Sequence, residues 1–343
     1  MSFEGILYDK NPDSSTKCKL CAHYCTIKTG KRGICRVREN RDGTLYSLIY
    51  GKLVARNVDP IEKKPLYHFE PGSLSYSIAT AGCNMFCDHC QNYQLSLQAP
   101  LIDPIPGHVS TPGEVVRDAL SANCSSIAYT YTEPTIFMEF ARDCALHASA
   151  EGLTNVFVTN GYMSEESAVL AGGFLDAANV DLKAATEEHY RKICGAGLQP
   201  VLDTIRTLHE AGTWIEVTTL VIPGYNDDDA SLEFMASFIA SVDTAIPWHL
   251  SRFFPIYKLL DAPPTPVNIL ERAGRIGEDA GLKHVYLGNV HGKSAETKCS
   301  SCGNVLILRA GFGVKELNIS EDNNCMNCGE PFDGVLAKRK ETV

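Results

Sequence analysis

Between residues 71 and 290, short runs rich in β-branched and aromatic residues alternate with longer segments of helical period. The runs are SYSIATA (75–81), SIAYTYTE (126–133), NVFVTNG (155–161), ANVDLKA (178–184), WIEVTTLVI (214–222), WHLSRFFPI (248–256) and HVYLGN (284–289). Among the segments between them are TIFMEFARDCALHASAEG, LQPVLDTIRTLHEAG and SLEFMASFIASV. Such alternation predicts an α/β fold with a parallel sheet and helices outside it, either a full or partial βα barrel or an open doubly wound sheet. A parallel strand covered on both faces is apolar on both, and several runs are not. In ANVDLKA, Val180 and Leu182 share one face, and Asn179, Asp181 and Lys183 the other. Tyr129, Tyr131 and Glu133 share a face in SIAYTYTE, as do His249, Ser251 and Phe253 in WHLSRFFPI. If the apolar faces meet the helices, the polar ones line the interior of a curved sheet. A polar interior near the carboxyl ends of the strands is where such folds build their sites.

The flanks differ. Residues 1–70 are polar and basic, hold four cysteines and contain strand-like runs such as LYSLIYGKLVA. Residues 291–343 are rich in Cys, Gly and Asn and end in a charged tail. Three units are expected: an N-terminal Cys-rich segment (1–70), a core barrel (71–290) and a C-terminal segment (291–343). A chain of 343 residues, 44% hydrophobic and 21% charged, is long enough for one large domain and one or two small ones. MSFEGILYDK has neither the basic nor the apolar region of a secretory signal, and no apolar stretch reaches the roughly 18 residues of a membrane helix. A cytoplasmic protein without a membrane partner is expected.

The net charge of −10 is uneven. Residues 1–65 carry 13 Lys+Arg against 7 Asp+Glu, leaving 18 against 34 for the rest. The basic charges are scattered among acids, as in RVRENRD. That argues for internal complementarity or an acidic docking partner rather than nucleic acid.

Cysteine changes the picture most. Fourteen cysteines in a reducing compartment are not a disulfide framework. Cys83, Cys87 and Cys90 place three thiols in the loop directly after the first predicted strand. So short a loop can wrap one polynuclear iron–sulfur centre, and three thiolates on four irons leave one iron open. The competing reading is zinc, completed by His89 or by a cysteine from elsewhere. Cys299, Cys302, Cys325 and Cys328 form two CxxC-Gly knuckles, a zinc-ribbon pattern for which rubredoxin-like iron is the alternative. Cys18, Cys21, Cys25 and Cys35 offer four thiolates near His23, for zinc or an auxiliary cluster. Cys124, Cys144 and Cys194 read as buried small hydrophobes.

CxxxCxxC after the first strand of a partial (β/α)6 barrel resembles the radical S-adenosylmethionine enzymes. The resemblance implies a 4Fe-4S cluster on Cys83, Cys87 and Cys90 whose open iron binds S-adenosyl-L-methionine. A low-potential electron donor then drives its reductive cleavage, and the resulting 5′-deoxyadenosyl radical abstracts hydrogen from a substrate. TEPT (132–135) corresponds to the family's Gly-Gly-Glu-Pro segment, with both glycines replaced and Glu133 retained. VTNG (158–161) and DLK (181–183) resemble segments of glycyl-radical-enzyme activases, which places Asn160 near ribose and Asp181 and Lys183 near the methionine carboxylate. His89 takes the position beside the third cysteine where an aromatic residue often lies near adenine. Thr218, Asn226, His249 and Arg252 also fall in familial stretches, with core hydrogen bonding as their default role.

CKLCAHYCTIKTGKRGICRVRENRDG (18–43), NVDPIEKKPLYHFEPGS (57–73) and AGCNMFCDHCQNYQLS (81–96) together resemble the radical enzyme of the AmmeMemoRadiSam system, kin of pyruvate formate-lyase activases. The resemblance implies Memo-like and AMME-region-like partners and is compatible with a protein substrate. Activation of a glycyl-radical enzyme is the alternative within that class. A non-catalytic scaffold docking partners through zinc knuckles is the alternative outside it.

Overall fold

The computed structural model describes residues 3–290 and 295–337. Residues 291–294 and the charged tail beyond 337, both in the expected C-terminal segment, lie outside the described residues. Seven parallel strands form the centre: β1 (Leu74–Thr80), β2 (Ser126–Tyr129), β3 (Thr154–Thr159), β4 (Ala177–Asp181), β5 (Trp214–Val221), β6 (Trp248–Arg252) and β7 (Val285–Gly288). They pair in sequence order, Ile127 opposite Tyr76 and Asn155, Val180 opposite Thr159 and Val217, and His249 opposite Thr218 and Tyr286. Each of the six crossovers carries a helix: α1 (Pro112–Ser121), α2 (Met138–Ala150), α3 (Glu165–Gly172), α4 (Gln199–Glu210), α5 (Asp229–Val242) and α6 (Val267–Asp279). This is the expected partial barrel of six βα units, closed off by a seventh strand. Local chemistry fixes the helix starts. Thr111 and Glu114 form a capping box on α1, Ser164 caps α3, and Asp228 accepts from Ser231 N at the start of α5. Of these helices, α1, α3 and α6 were not among the segments singled out from the sequence.

The interior faces are as polar as the strand parity predicted, with one correction. Asn179 points inward and donates to Pro65 O at 2.8 Å, and His249 Nε2 lies 2.6 Å from Glu216 Oε2. Tyr129, expected to share an inner face with Tyr131 and Glu133, instead faces the helices, edge-on to Phe157 at 5.4 Å. Two causes are visible. Its hydroxyl is satisfied there by Asn155 Oδ1 at 3.1 Å, and Tyr131 adopts φ 62°, which ends the strand and breaks the alternation.

The N-terminal segment extends and plugs this barrel. Its strand Lys52–Pro60 pairs antiparallel with β1. Beyond it, Ile61, Leu66 and Phe69 pack against inward-facing Ala128, Val156 and Ala177 near the amino ends of the strands. Glu216 anchors the plug, accepting from Tyr67 N (2.9 Å), His68 N (2.7 Å) and Trp214 Nε1 (3.2 Å) besides its contact with His249. The C-terminal strands Ala295–Lys298, Val305–Ala310 and Gly313–Leu317 form a separate antiparallel sheet that docks on the plug. Arg309, fully buried, donates to Tyr67 O and to Thr297 Oγ1, and Phe332 stacks on His68. Part of the N-terminal basic charge is matched internally, as expected, in the buried pairs Arg38–Glu139 and Lys64–Asp59. Among the described residues no helix is long and apolar enough to cross a membrane.

Replacing Glu216 by alanine strands two main-chain donors and two ring nitrogens. At about 1–3 kcal/mol for each buried group left unpaired, the expected loss of stability is at least about 3 kcal/mol. Denaturant unfolding measures it, and an unchanged midpoint would show that the plug does not depend on this carboxylate.

Candidate functional site

The loop after β1 holds Cys83, Cys87 and Cys90 at the carboxyl edge of the sheet, and the connection after β4 clamps it. Phe86 N donates to Cys194 O at 2.8 Å, and Asp88 N to Ile193 O at 3.0 Å. Cys194 is buried, as are Cys124 and Cys144, but it is more than filling. Its thiol faces that of Cys87, and the ligand atoms of Cys87, His89 and Cys194 lie within 4.8 Å of one another. Nothing in the spacing of YRKICGAG announced that contact.

Cys83 Sγ accepts from Met85 N at 3.4 Å and from Asn160 Nδ2 at 3.6 Å. Donors aimed at sulfur favour a thiolate, although burial, with Glu133 and Cys87 nearby, pushes the Cys83 thiol pKa well up. Glu133 at the end of the second predicted run is 1% exposed. Its Oε1 accepts from Thr135 N (3.0 Å), Thr135 Oγ1 (2.6 Å) and Thr159 Oγ1 (2.7 Å), and its Oε2 accepts from Asn160 N (2.8 Å). Burial raises its pKa, and these bonds pull in the opposite direction. Both oxygens are engaged within the protein, so the carboxylate fixes the turn that carries Asn160.

Asn160 Nδ2 in turn donates to Asn84 Oδ1 at 2.8 Å, and Asn84 Nδ2 to Tyr162 O at 3.1 Å. Glu133, Asn160 and Cys83 are thereby joined through Asn84. Sequence reasoning passed over Asn84, although its place between two cysteines of the motif was the available signal.

Across the opening, Lys183 Nζ pairs with Asp181 Oδ2 at 2.7 Å just beyond β4. Burial works against the ammonium, but Asp181 and Cys87 outweigh it and hold the Lys183 pKa well up. Asn226 accepts from Ile222 N and donates to Lys183 O and Leu220 O, bracing this corner. His89 is buried with Nδ1 unpartnered, and burial, then the Lys183 charge, presses its pKa down to about 3. Thr218 Oγ1, on the strand position opposite Asp181, is also buried without a partner. His249 belongs instead to the Glu216 network at the other end of the barrel, and Arg252 Nε donates to Thr265 O at 2.7 Å.

The outer cysteine groups are also assembled. The Sγ atoms of Cys299, Cys302, Cys325 and Cys328 all lie within 4.8 Å of one another, a donor set suited to one metal ion. Cys18, Cys21, Cys25 and Cys35 converge on one small cavity beside Ile136.

A model of the radical SAM superfamily matches residues 77–235. An uncharacterized protein of Methanocaldococcus jannaschii is 44% identical over 336 residues, which is 97% of this chain and 99% of that protein. The pyruvate formate-lyase 1-activating enzyme of Escherichia coli is 22% identical over 224 residues, 60% of this chain and 89% of the enzyme. A radical SAM methyltransferase from Sphaerobacter thermophilus, 18% identical, superposes with a TM-score of 0.50 over 69% of this chain and 71% of its own, a likeness of fold. Fold and site define an iron–sulfur enzyme built on a partial βα barrel. The chain belongs to the radical SAM superfamily and is related to its activating enzymes. Membership implies a 4Fe-4S cluster and S-adenosylmethionine, and the donor set fits them: three thiols in one loop, two of them also facing the positive charge of Lys183.

Asn84→Ala removes the donor to Tyr162 O and one of the two acceptors of Asn160 Nδ2, leaving it Cys83 Sγ. Loss of these bonds is expected to cost about 1–3 kcal/mol locally, seen as faster amide exchange at Asn160 and Tyr162. Unchanged protection would mean that Asn84 does not hold the turn.

Proposed function

We propose that Cys83, Cys87 and Cys90 hold the 4Fe-4S cluster, and that S-adenosylmethionine lies between it and the ends of β3 and β4. The observation that carries this reading is the convergence of the three-cysteine loop with Asn160, Asp181 and Lys183 on one edge of the sheet. When bound, the cluster supplies the electron that cleaves the sulfonium and yields a 5′-deoxyadenosyl radical. The protein's part is placement. Asn160, fixed by Glu133 and Asn84, presents a polar side chain to the ribose, and Lys183 offers a point charge to the methionine carboxylate. His89, neutral and buried, supports the adenine side of the pocket. Glu133 acts through Asn160 and Thr159 rather than by direct contact.

The substrate in this reading is a protein, and the enzyme is of the AmmeMemoRadiSam type, working in the cytoplasm with Memo-like and AMME-region-like partners. Three sequence stretches support it: CKLCAHYCTIKTGKRGICRVRENRDG, NVDPIEKKPLYHFEPGS and AGCNMFCDHCQNYQLS. The 22% identity to a pyruvate formate-lyase activase favours a second reading, formation of a glycyl radical on a partner enzyme. Residues 1–70, 71–290 and 291–343 act as a Cys-rich entry segment, the barrel and a zinc-ribbon unit.

Anaerobic reconstitution with iron and sulfide is expected to give an oxygen-labile chromophore, and the reduced protein to form 5′-deoxyadenosine. Absence of either result overturns the enzymatic reading and favours a metal-binding scaffold. Cys87→Ala is expected to lower 5′-deoxyadenosine formation at least ~100-fold, whereas full activity in this variant would exclude Cys87 as a ligand. For the C-terminal quartet the expected content is ~1 zinc per chain. Its removal by chelator should loosen the Cys299–Cys328 region first, because metal binding and folding are coupled in so small a unit. Iron in that place, found by elemental analysis of a Cys302→Ser pair, would refute zinc.

A further inference from the structure

We infer that Cys18, Cys21, Cys25 and Cys35 hold a second polynuclear iron–sulfur cluster, in direct contact with the loop of Cys83.

The two four-cysteine groups of this chain have different geometries. In the C-terminal group Cys299 and Cys328 are 3.6 Å apart at sulfur, and Cys302 and Cys325 are 3.8 Å apart. A zinc–sulfur bond of about 2.3 Å in a tetrahedron gives sulfur edges of ~3.8 Å, so those four thiols close around a single ion. The N-terminal four do not close in this way; among the described residues no three of their sulfurs gather within 4.8 Å. They stand around a cavity of about 20 Å³ instead, with Leu20, Ile27 and Ile136 completing the wall. The wall is otherwise thiol and aliphatic carbon, with the buried Arg38 side chain beside it. Thiolates spaced around such a core match a cluster whose interior is iron and inorganic sulfide.

Two further features prepare the site for anionic sulfur. Burial raises the pKa of the Cys18, Cys21 and Cys35 thiols, and the main-chain N–H groups of Leu20, His23 and Val37, each two residues on, pull the other way. Arg38 also lines the cavity, is 1% exposed, and leaves Nε and Nη1 without hydrogen-bond partners. Its single acidic partner, Glu139, balances one charge, and the unmatched donors suit the negative charge of a thiolate-ligated cluster.

The contact with the central loop is close. Gly82, directly before Cys83, has φ 108°, and a Cβ there would lie 3.3 Å from Cys35 O and 2.9 Å from the side chains of Ile136 and Val37. His23 Nε2 lies 2.7 Å from Asn84 O. The route from one metal site to the other is therefore Cys35, the close approach of its carbonyl to Gly82, and Cys83. One electron from a low-potential flavodoxin- or ferredoxin-type donor can enter the outer cluster and pass along this route, with no atom or proton transferred. That role rests on the function proposed above; the metal assignment does not.

The test is a Cys83→Ala, Cys87→Ala, Cys90→Ala variant of the full chain, reconstituted anaerobically with iron and sulfide. It is expected to keep ~2–4 iron per chain, matching labile sulfide and a reducible paramagnetic signal. These should be lost when Cys25→Ser and Cys35→Ser are added, with circular dichroism unchanged. In the reduced wild-type protein the two clusters should broaden each other's resonance, and the signal should sharpen in the triple variant. A natively folded triple variant that binds a second zinc and no iron overturns the assignment. An unbroadened pair of signals in the wild type overturns the contact. Iron retained in the triple variant while the wild type makes no 5′-deoxyadenosine would leave this site standing and remove the radical chemistry instead.

Discussion

Glu216 is the constraint on which the rest of the molecule depends. A curved parallel sheet with a polar interior cannot close on itself without satisfying those groups at one end. Here a buried carboxylate on β5 draws in the main-chain N–H groups of Tyr67 and His68 and the ring of His249. Residues 61–70 are pinned as a plug, with the Ile61, Leu66 and Phe69 side chains against the inner face of the sheet. Their outer side then becomes the ground on which the C-terminal sheet rests, through Arg309 on Tyr67 and Phe332 on His68. With the amino end of the barrel sealed, the carboxyl end is left for loops that carry function.

At that end, order is imposed from two sides. The segment after β4 grips the cysteine loop through Ile193 and Cys194, and the Glu133–Asn160–Asn84 network grips it through Cys83. Placement of ligands by already satisfied groups lets a reactive centre bind without reorganising its surroundings. The same logic explains why a buried carboxylate such as Glu133 can matter to a site it does not face. A charge with four donors is a fixed point, and the turn at Asn160 is built around it.

The strands, three of the six helices and the three-cysteine loop were legible because each leaves a local signal: a run of β-branched residues, a period, a spacing. Parity along ANVDLKA and WHLSRFFPI placed Asn179 and His249 inside correctly. It failed at SIAYTYTE, where the left-handed residue Tyr131 cuts the strand short and Tyr129 finds a hydrogen-bond partner, Asn155, on the helix side. Glu216, Asn84 and Cys194 were illegible for a common reason. Their partners are distant in the chain, Glu216 reaching the plug, Asn84 reaching Asn160 and Cys194 reaching Cys87, and no pattern around any of the three encodes the meeting. The N-terminal cysteines fall between these cases. Their spacing allows zinc or a cluster, and the arrangement of the sulfurs around one cavity comes only from the fold.

The placement of the metal-binding segments also bears on how a catalytic and a partner-docking role can coexist. The C-terminal cysteine quartet belongs to a sheet docked on the sealed end of the barrel, through Arg309, Thr297 and Tyr286. The N-terminal cysteines lie beside Gly82 and Ile136, against the open end. A protein bound to the C-terminal sheet therefore meets the molecule behind the plug, away from Asn160 and Lys183. One bound over the open end meets both the substrate edge and the N-terminal segment. The two ends are thus distinct surfaces separated by the length of the strands, one covered by the C-terminal sheet and the other carrying the three-cysteine loop.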